Sequence, residues 1–215
     1  MDGGYQVKNG YKVIRIEASD TAEWIMKKHY AHRMPSISYA FGLYGDASLI
    51  GICTFGSPAS APLRIGVAGQ EMAGYVIELN RLCVESGEEN ITSWFVSRCL
   101  KEIGEKIVVS YADTRQGHVG KIYQACNFIF TGTTKARSDI SAGNGKHSRH
   151  YDRNTNYKEN RVLRSSKHRY IYISGNKRFK RKALNALKYS RQDYPKGETT
   201  RYDASYSPIS QRILF

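Results

Sequence analysis

Two apolar strand-like runs flanking one helical pattern constrain this chain more than any other feature. "YVIELNRLCV" (75–84) is followed by "ITSWFVSRCLKEIG" (91–104) and then by "KIVVSYAD" (106–113). Ile91, Phe95, Cys99 and Ile103 recur at helical spacing, and Asn90 stands where a cap belongs. A strand–helix–strand run predicts a parallel strand pair with the helix laid on the sheet face. The first strand is apolar at both ends but carries Glu78, Asn80 and Arg81 at its centre. Charged side chains are rarely buried without partners. Either this strand is an exposed edge or its polar groups line a cleft. On an ideal strand Glu78 and Asn80 share one face and Arg81 takes the other.

The remaining segments fill in an α/β (α+β) fold, a mixed sheet with helices on both faces. "YKVIRIEA" (11–18) reads as a first strand, and "SDTAEWIMKKHYAHR" as a helix capped by Asp20 with Glu23 three residues on. Pro35 closes that helix or the loop after it. "SYAFGLYG" and "SLIGICTFG" form a hairpin around Gly45-Asp46, and "SPASAPLRIGVAGQEMAG" reads as a surface loop. Val119, Ile122, Tyr123 and Cys126 in "GHVGKIYQACNF" predict an amphipathic helix, and "FIFTGTT" a strand. The order is β-α-β-β-β-α-β-α-β. "HRYIYISGNKRFKRKALNAL" adds a strand, a Gly-Asn turn and a short basic helix, while residues 141–156 read as a mobile loop holding His147 and His150, which face solvent or DNA.

Charge divides the chain unevenly. Residues 1–134 hold 13 Lys+Arg and 13 Asp+Glu, whereas residues 135–215 hold 20 and 6, so the whole net charge of +14 lies in the second part. The expected organisation is a catalytic core over 1–134 and a basic part over 135–215, either completing the same domain or appended to it. Eight of the 16 tyrosines also fall in the second part. Basic residues interleaved with aromatics suit phosphate backbones and stacked bases. Arg169, Lys177, Arg178, Lys180 and Arg181 are the candidate DNA contacts; a merely solubilising tail is the plainer alternative. No apolar run is long enough for a spanning helix and no leader pattern opens the chain, so no membrane contact and a cytoplasmic location are expected. The four cysteines have no CxxC spacing and read as reduced structural thiols.

The segment "YADTRQGHVGKIYQACNFIFTG" resembles the later strand, helix and Tyr-x-x-x-(Gly/Asn)-Phe corner of the GNAT acyltransferase fold. More narrowly, "KKHY", "ELNRLCV", "SYADTRQGHVGKIYQACNF" and "RYIYISGNKRFKRKALNALKY" together resemble the Mom family of bacteriophage DNA-modification proteins. That resemblance implies conversion of the N6 amine of adenine in double-stranded DNA to a carbamoylmethyl (acetamido) group, which shields phage DNA from restriction. It carries functional roles onto His29, Tyr30, Arg81, Asp113, Tyr123 and Ser97. In the GNAT fold the central strand bulges and splays from its parallel neighbour, which would turn Glu78 and Arg81 into a cleft. Asp113 or Glu78 is then the expected base, Arg81 the residue orienting a donor carbonyl or carboxylate, and Tyr123 or Tyr30 the acid.

Where GNAT enzymes carry Q/R-x-x-G-x-G/A to hold the pyrophosphate of acyl-CoA, this chain has "LCVESGEENITSW", with one glycine and three glutamates. The donor is left between an acyl-CoA and a glycyl donor such as glycyl-tRNA, since glycyl is an isomer of carbamoylmethyl. His29 and Tyr30 with Asp113 or Glu78 are possible ligands of a metal such as iron. Two rival functions are a transferase acting on a protein or small amine, and a non-catalytic DNA-binding protein with a degenerate core.

Overall fold

Strands of alternating and continuous apolar character assemble into one eight-stranded sheet in the computed structural model, which describes residues 6–8, 10–85, 87–140 and 161–198. Its strands are β1 (Gln6–Lys8), β2 (Tyr11–Arg15), β3 (Tyr39–Gly45), β4 (Ser48–Gly56), β5 (Val76–Val84), β6 (Lys106–Asp113), β7 (Ile129–Thr134) and β10 (Lys167–Ser174), in the order β1-β2-β3-β4-β5-β6-β10-β7. A separate two-stranded ribbon joins β8 (Arg137–Ile140) to β9 (Arg161–Arg164). Residues 141–156, read above as a mobile loop, lie outside the described residues.

Among the described residues only β5 and β6 pair in parallel, as the crossover predicts. The connecting α2 (Ile91–Glu102) buries Ile91, Phe95, Val96, Cys99 and Leu100 against one sheet face. Asn90 takes the cap position in a left-handed conformation (φ 64°) and caps through its carbonyl, which accepts from Trp94 N and Ser93 Oγ at 3.0 Å each. On the opposite face α1 (Ala61–Met72) and α4 (Lys177–Ala186) enclose a second core of Val67, Met72, Val76, Ile107, Val109, Ile171, Ile173 and Phe179. A third, smaller cluster of Trp24, Ile25 and Ile52 lies near the other sheet edge. The four cysteines are thiols, with no disulfide among the described residues.

Three expectations are corrected. The segment after β4 is not a loop but α1: the Ser60 hydroxyl accepts from Leu63 N at 3.3 Å and Pro62 fits the first turn. Its small residues hide the periodicity yet allow close packing, and the helix breaks at Ala68-Gly69, where Gly69 has φ +71°. The first predicted helix is two short turns instead. Glu17, not Asp20, caps the 3-10 turn Ala18–Thr21, with the Asp20 carboxylate accepting from Glu17 N at 3.3 Å. A π-turn, Trp24–Lys28, follows and ends as Trp24 O accepts from His29 N at 2.9 Å. The third helix, α3 (Lys121–Ala125), is shorter than the pattern implied, because Gly120 turns left-handed (φ +78°) under the Tyr170 ring, where a Cβ would meet ring carbon at 2.5 Å.

The basic C-terminal half contributes an interior strand. β10 runs antiparallel to β6 along its full length, from Lys167 opposite Asp113 to Ser174 opposite Lys106, and pairs with β7 on its other side.

Candidate active site

The polar interruption of β5 coincides with two irregularities in its pairing. β5 and β6 are in register only from Val76–Ile107 to Glu78–Val109, so the parallel pair ends at Glu78. Opposite β4, Thr54 pairs with Arg81 and Phe55 with Leu79, which leaves Asn80 as a one-residue bulge. Ser110 Oγ donates to Leu79 O at 3.0 Å where the two strands begin to part.

The bulge corrects the face assignment. Ile77 and Leu79 belong to the α2 core, and beyond the bulge so do Leu82 and Val84, which means the alternation is reset between them. Arg81 therefore joins Glu78 on the opposite face, and Asn80 is the displaced residue. Asn80 accepts from Thr54 Oγ1 at 2.6 Å and donates to Ser36 O at 2.8 Å. Arg81 is buried, with Nε and Nη2 donating to Arg33 O (3.2 and 2.6 Å) and Nη1 to Asn80 O (2.6 Å). Asn80 and Arg81 together fasten the 33–36 backbone over the end of the parallel pair. Arg81 holds protein carbonyls, which makes it a positioning residue for the segment that carries His29, Tyr30 and Arg33.

His29 is buried, its Nδ1 accepts from Ala31 N at 3.1 Å, and its ring stacks on Tyr30 with centroids 4.5 Å apart. Burial, reinforced by the charge of Arg81, pushes its imidazole down to about 3, so His29 is neutral at physiological pH. Tyr30 meets His118 edge-on at 6.1 Å. These rings form an aromatic wall.

The carboxylates differ. Glu78 has no hydrogen-bond or ion-pair partner among the described residues, and burial raises its pKa against the opposing pull of Arg81, Lys167 and Arg33. Asp113 is engaged on both oxygens: Oδ1 accepts from Ser165 Oγ (2.5 Å) and Arg115 N (3.0 Å), and Oδ2 pairs with Lys167 Nζ at 3.0 Å. Burial raises the Asp113 pKa, but Ser165, Lys167 and the Arg115 amide outweigh it and hold the carboxyl below its usual range. Tyr123 projects from α3 onto Phe128 and Tyr170, and burial raises its phenol, with Tyr30 and Glu78 adding to the effect.

The structure thus gathers Glu78, Arg81, His29, Tyr30, Asp113 and Tyr123 around the end of the β5–β6 pair. Ser97 stands apart, bonded to Cys126 Sγ (3.6 Å) where α2 meets α3. His118, Lys167, Ser165 and Arg33 also shape the site and were not singled out by sequence. Their roles depend on long-range pairing, although His118 follows Asp113 by five residues in an already suspect segment.

Among the described residues no group of three or more His, Cys, Asp or Glu side chains converges to hold a metal. The approach to α2 is acidic, with Glu85, Glu88 and Glu89 ahead of the helix and Glu85 paired to Lys28 at 2.8 Å. An acyl-CoA has to place its pyrophosphate away from this helix end.

The candidate DNA residues fall in two places. Arg169 is held within the protein: Nε donates to Thr131 Oγ1 (2.9 Å), Nη2 to Thr131 O (2.7 Å), and its guanidinium lies 3.3 Å from the Tyr189 ring centroid. Lys177, Arg178 and Arg181 are exposed on α4 and Lys180 partly so, with Phe179 and Ala183 anchoring the helix. They start at the Ser174 end of β10, about 23 Å from Lys167 for seven strand steps. No helix among the described residues is long and apolar enough to cross a membrane.

The chain is similar to known proteins at two levels. Among solved structures, ribosomal-protein-S5-alanine acetyltransferase from Vibrio fischeri is 12% identical with a TM-score of 0.47, covering 80% of this chain and 97% of its own. An N-acetyltransferase from Staphylococcus aureus Mu50 is 17% identical with a TM-score of 0.46, covering 76% of this chain and 98% of its own. In sequence, the methylcarbamoylase Mom of Escherichia phage Mu is 31% identical over 219 residues, covering 90% of this chain and 88% of that protein. The Mom protein family matches residues 10–196, a span that takes in every residue of the cleft. The chain belongs to the Mom protein family.

Proposed function

We propose that this chain is a DNA-modifying transferase that converts the N6 amine of adenine in double-stranded DNA to the carbamoylmethyl derivative, protecting the DNA from restriction. Membership in the Mom family supports the activity. The observation that carries its placement is Glu78, a carboxyl with no hydrogen-bond partner among the described residues, at the point where the parallel pair ends and near the Tyr123 phenol.

The N6 lone pair is delocalised into the ring, so transfer needs a base. Glu78, with its raised pKa and no donor on it among the described residues, suits that role better than Asp113, whose oxygens are already engaged. N6 forms its bond to the donor carbon and gives its proton to Glu78. The bond from that carbonyl carbon to the leaving oxygen or sulfur breaks, and the leaving group takes the Tyr123 proton. The glycyl group so placed on N6 rearranges on the base, its α-amine bonding to C6 as the bond from C6 to the amide nitrogen breaks, which gives N6–CH2–CO–NH2 with no atom gained or lost. Because N6 is paired and stacked in the duplex, the base must flip out, at about a few kcal/mol. The Tyr30–His118 wall offers it a stacking surface. His29, neutral, fixes Tyr30 from behind. The exposed basic residues of α4, Lys177, Arg178, Lys180 and Arg181, contact phosphates. The donor is an activated glycyl group, carried as the thioester of an acyl-CoA or as an ester such as glycyl-tRNA.

Nucleoside mass spectrometry of plasmid DNA from cells expressing the chain tests this reading. The expected result is a deoxyadenosine heavier by one carbamoylmethyl substituent. Unmodified nucleosides from a preparation that binds DNA would overturn it in favour of a binding protein with a degenerate core. Purified protein assayed with glycyl-CoA and with glycyl-tRNA separates the two donors.

A further inference from the structure

The connection from the π-turn to β3 is held more firmly than a surface loop needs to be. Arg33 O accepts from Arg81 Nε and Nη2, and Ser36 O accepts from Asn80 Nδ2 at 2.8 Å. Ser38 N donates to Phe55 O at 2.7 Å as β3 begins. The Ser36 carbonyl lies against Gly56 so closely that a Cβ there would collide with it. At the entry, His32 turns left-handed (φ 40°) and its Nδ1 donates to Met26 O at 2.8 Å. That backbone region is uncommon outside glycine. Pro35 fixes its own φ and biases Met34 toward an extended backbone.

What this rigid turn presents is Met34, whose side chain is 40% exposed between half-buried Arg33 and Pro35. Single apolar side chains on a surface are ordinary, so exposure alone assigns nothing. Position and rigidity do. Both side-chain clamps come from Asn80 and Arg81, just past the point where β5 stops pairing with β6. The Arg33 charge acts on both Glu78 and Arg81, which puts the turn at the rim of the gap that holds Glu78. Met26, also exposed, lies ahead of the turn and outside the clamps. An adenine that leaves the duplex opens a hole in the stack, at about a few kcal/mol. Proteins that open base steps fill them with apolar wedges, methionine among them. An unbranched, polarisable thioether suits such a gap. A turn already ordered in the free protein loses little further freedom on entering it.

We propose that Met34 is the wedge that enters the base stack of duplex DNA where the target adenine has swung out. The proposal rests on the DNA-modifying reading above and adds to it the residue that keeps the flipped state open. Arg81 and Asn80 keep the turn from yielding when its crest meets the stack, while the extruded base passes to the Tyr30–His118 wall.

The test uses the full chain and duplexes that carry 2-aminopurine, which fluoresces when unstacked, at an adenine the parent modifies in plasmid DNA. The parent should raise the fluorescence about threefold or more as the base leaves the stack. Met34→Ala should give little of that rise, and Met34→Leu should recover most of it. With an abasic site opposite the 2-aminopurine there is no pair to break, and the parent and Met34→Ala should reach the same signal. In cells, Met34→Ala should lower the modified fraction of deoxyadenosine about tenfold, with an unchanged melting temperature. The wedge is overturned if Met34→Ala opens the paired duplex as the parent does, or loses the signal on both duplexes alike. A parent that modifies DNA without raising the signal overturns it too, and in each of these cases DNA modification still stands. A parent that leaves plasmid deoxyadenosine unmodified overturns the underlying reading instead.

Discussion

Half-buried Glu78 and buried His29 are both titratable groups, and their shifts have opposite consequences for the pH dependence of the protein. Burial raises the Glu78 pKa, so the folded state holds its proton to higher pH than the unfolded chain, and stability falls as pH rises through that window. Glu78→Gln removes this cost. It should lower modification by about 100-fold or more while raising the melting temperature at neutral pH, a combination that a purely structural carboxylate would not give. In the parent, the acidic limb of the rate profile should lie above the ordinary carboxylate range, since a protonated Glu78 cannot accept from N6. For His29 the sign reverses. Its folded pKa of about 3 lies below the unfolded value of 6.5, so the unfolded chain takes up the proton first. Stability from this residue is complete above pH 6.5 and is lost as pH falls toward 3, by an amount on the order of a few kcal/mol. Denaturant titrations from pH 7 to 4 should show that decline, and His29→Gln should flatten it. That polar residues interrupt β5 was plain in sequence; which face each one takes was not. The bulge at Asn80 is decided by pairing with β4, and strand alternation alone carries no record of a partner strand.

At the scale of elements, the fastening of the 33–36 backbone to β5 determines whether the aromatic wall stands. Arg81→Ala removes three charged hydrogen bonds to buried carbonyls and should cost about 3 kcal/mol or more. Arg81→Lys should not rescue it, because one ammonium cannot reach Arg33 O and Asn80 O in the fork geometry of a guanidinium. Asn80→Ala should cost less, about 1–2 kcal/mol, and leave the Thr54 hydroxyl without its acceptor. In both variants limited proteolysis should cut first between residues 30 and 38, well before global unfolding. Elements with strong periodicity were legible: the β3–β4 hairpin, the β5–α2–β6 crossover, and the strand, Gly-Asn turn and basic helix of β10 and α4. Those written in small residues or irregular turns were not. α1 is rich in alanine and glycine, so its buried face of Val67, Ala68 and Met72 makes no apolar stripe, and the π-turn at Trp24–Lys28 breaks the 3.6-residue period altogether.

For the whole molecule, charge and topology make separate predictions. Replacing Lys177, Arg178, Lys180 and Arg181 by Ala should flatten the salt dependence of DNA affinity by up to about 4 units if all four meet phosphates, with an unchanged melting temperature, since the helix is anchored by Phe179 and Ala183. A slope equal to the parent's would remove α4 from the DNA surface. A chain ending at residue 134 should fail to fold, as judged by circular dichroism and gel filtration, because it lacks the strand between β6 and β7. The same threading governs the birth of the protein on the ribosome. β6 and β7 are synthesised before β10, and about 40 further residues must be translated past Thr134 before the strand that separates them is complete. At about 5–20 residues per second, both strands wait for several seconds with open edges that other nascent chains can pair with. Slower, cooler growth should therefore raise the soluble yield. A message cut anywhere upstream of Ser174 should deliver inclusion bodies rather than a partly active enzyme.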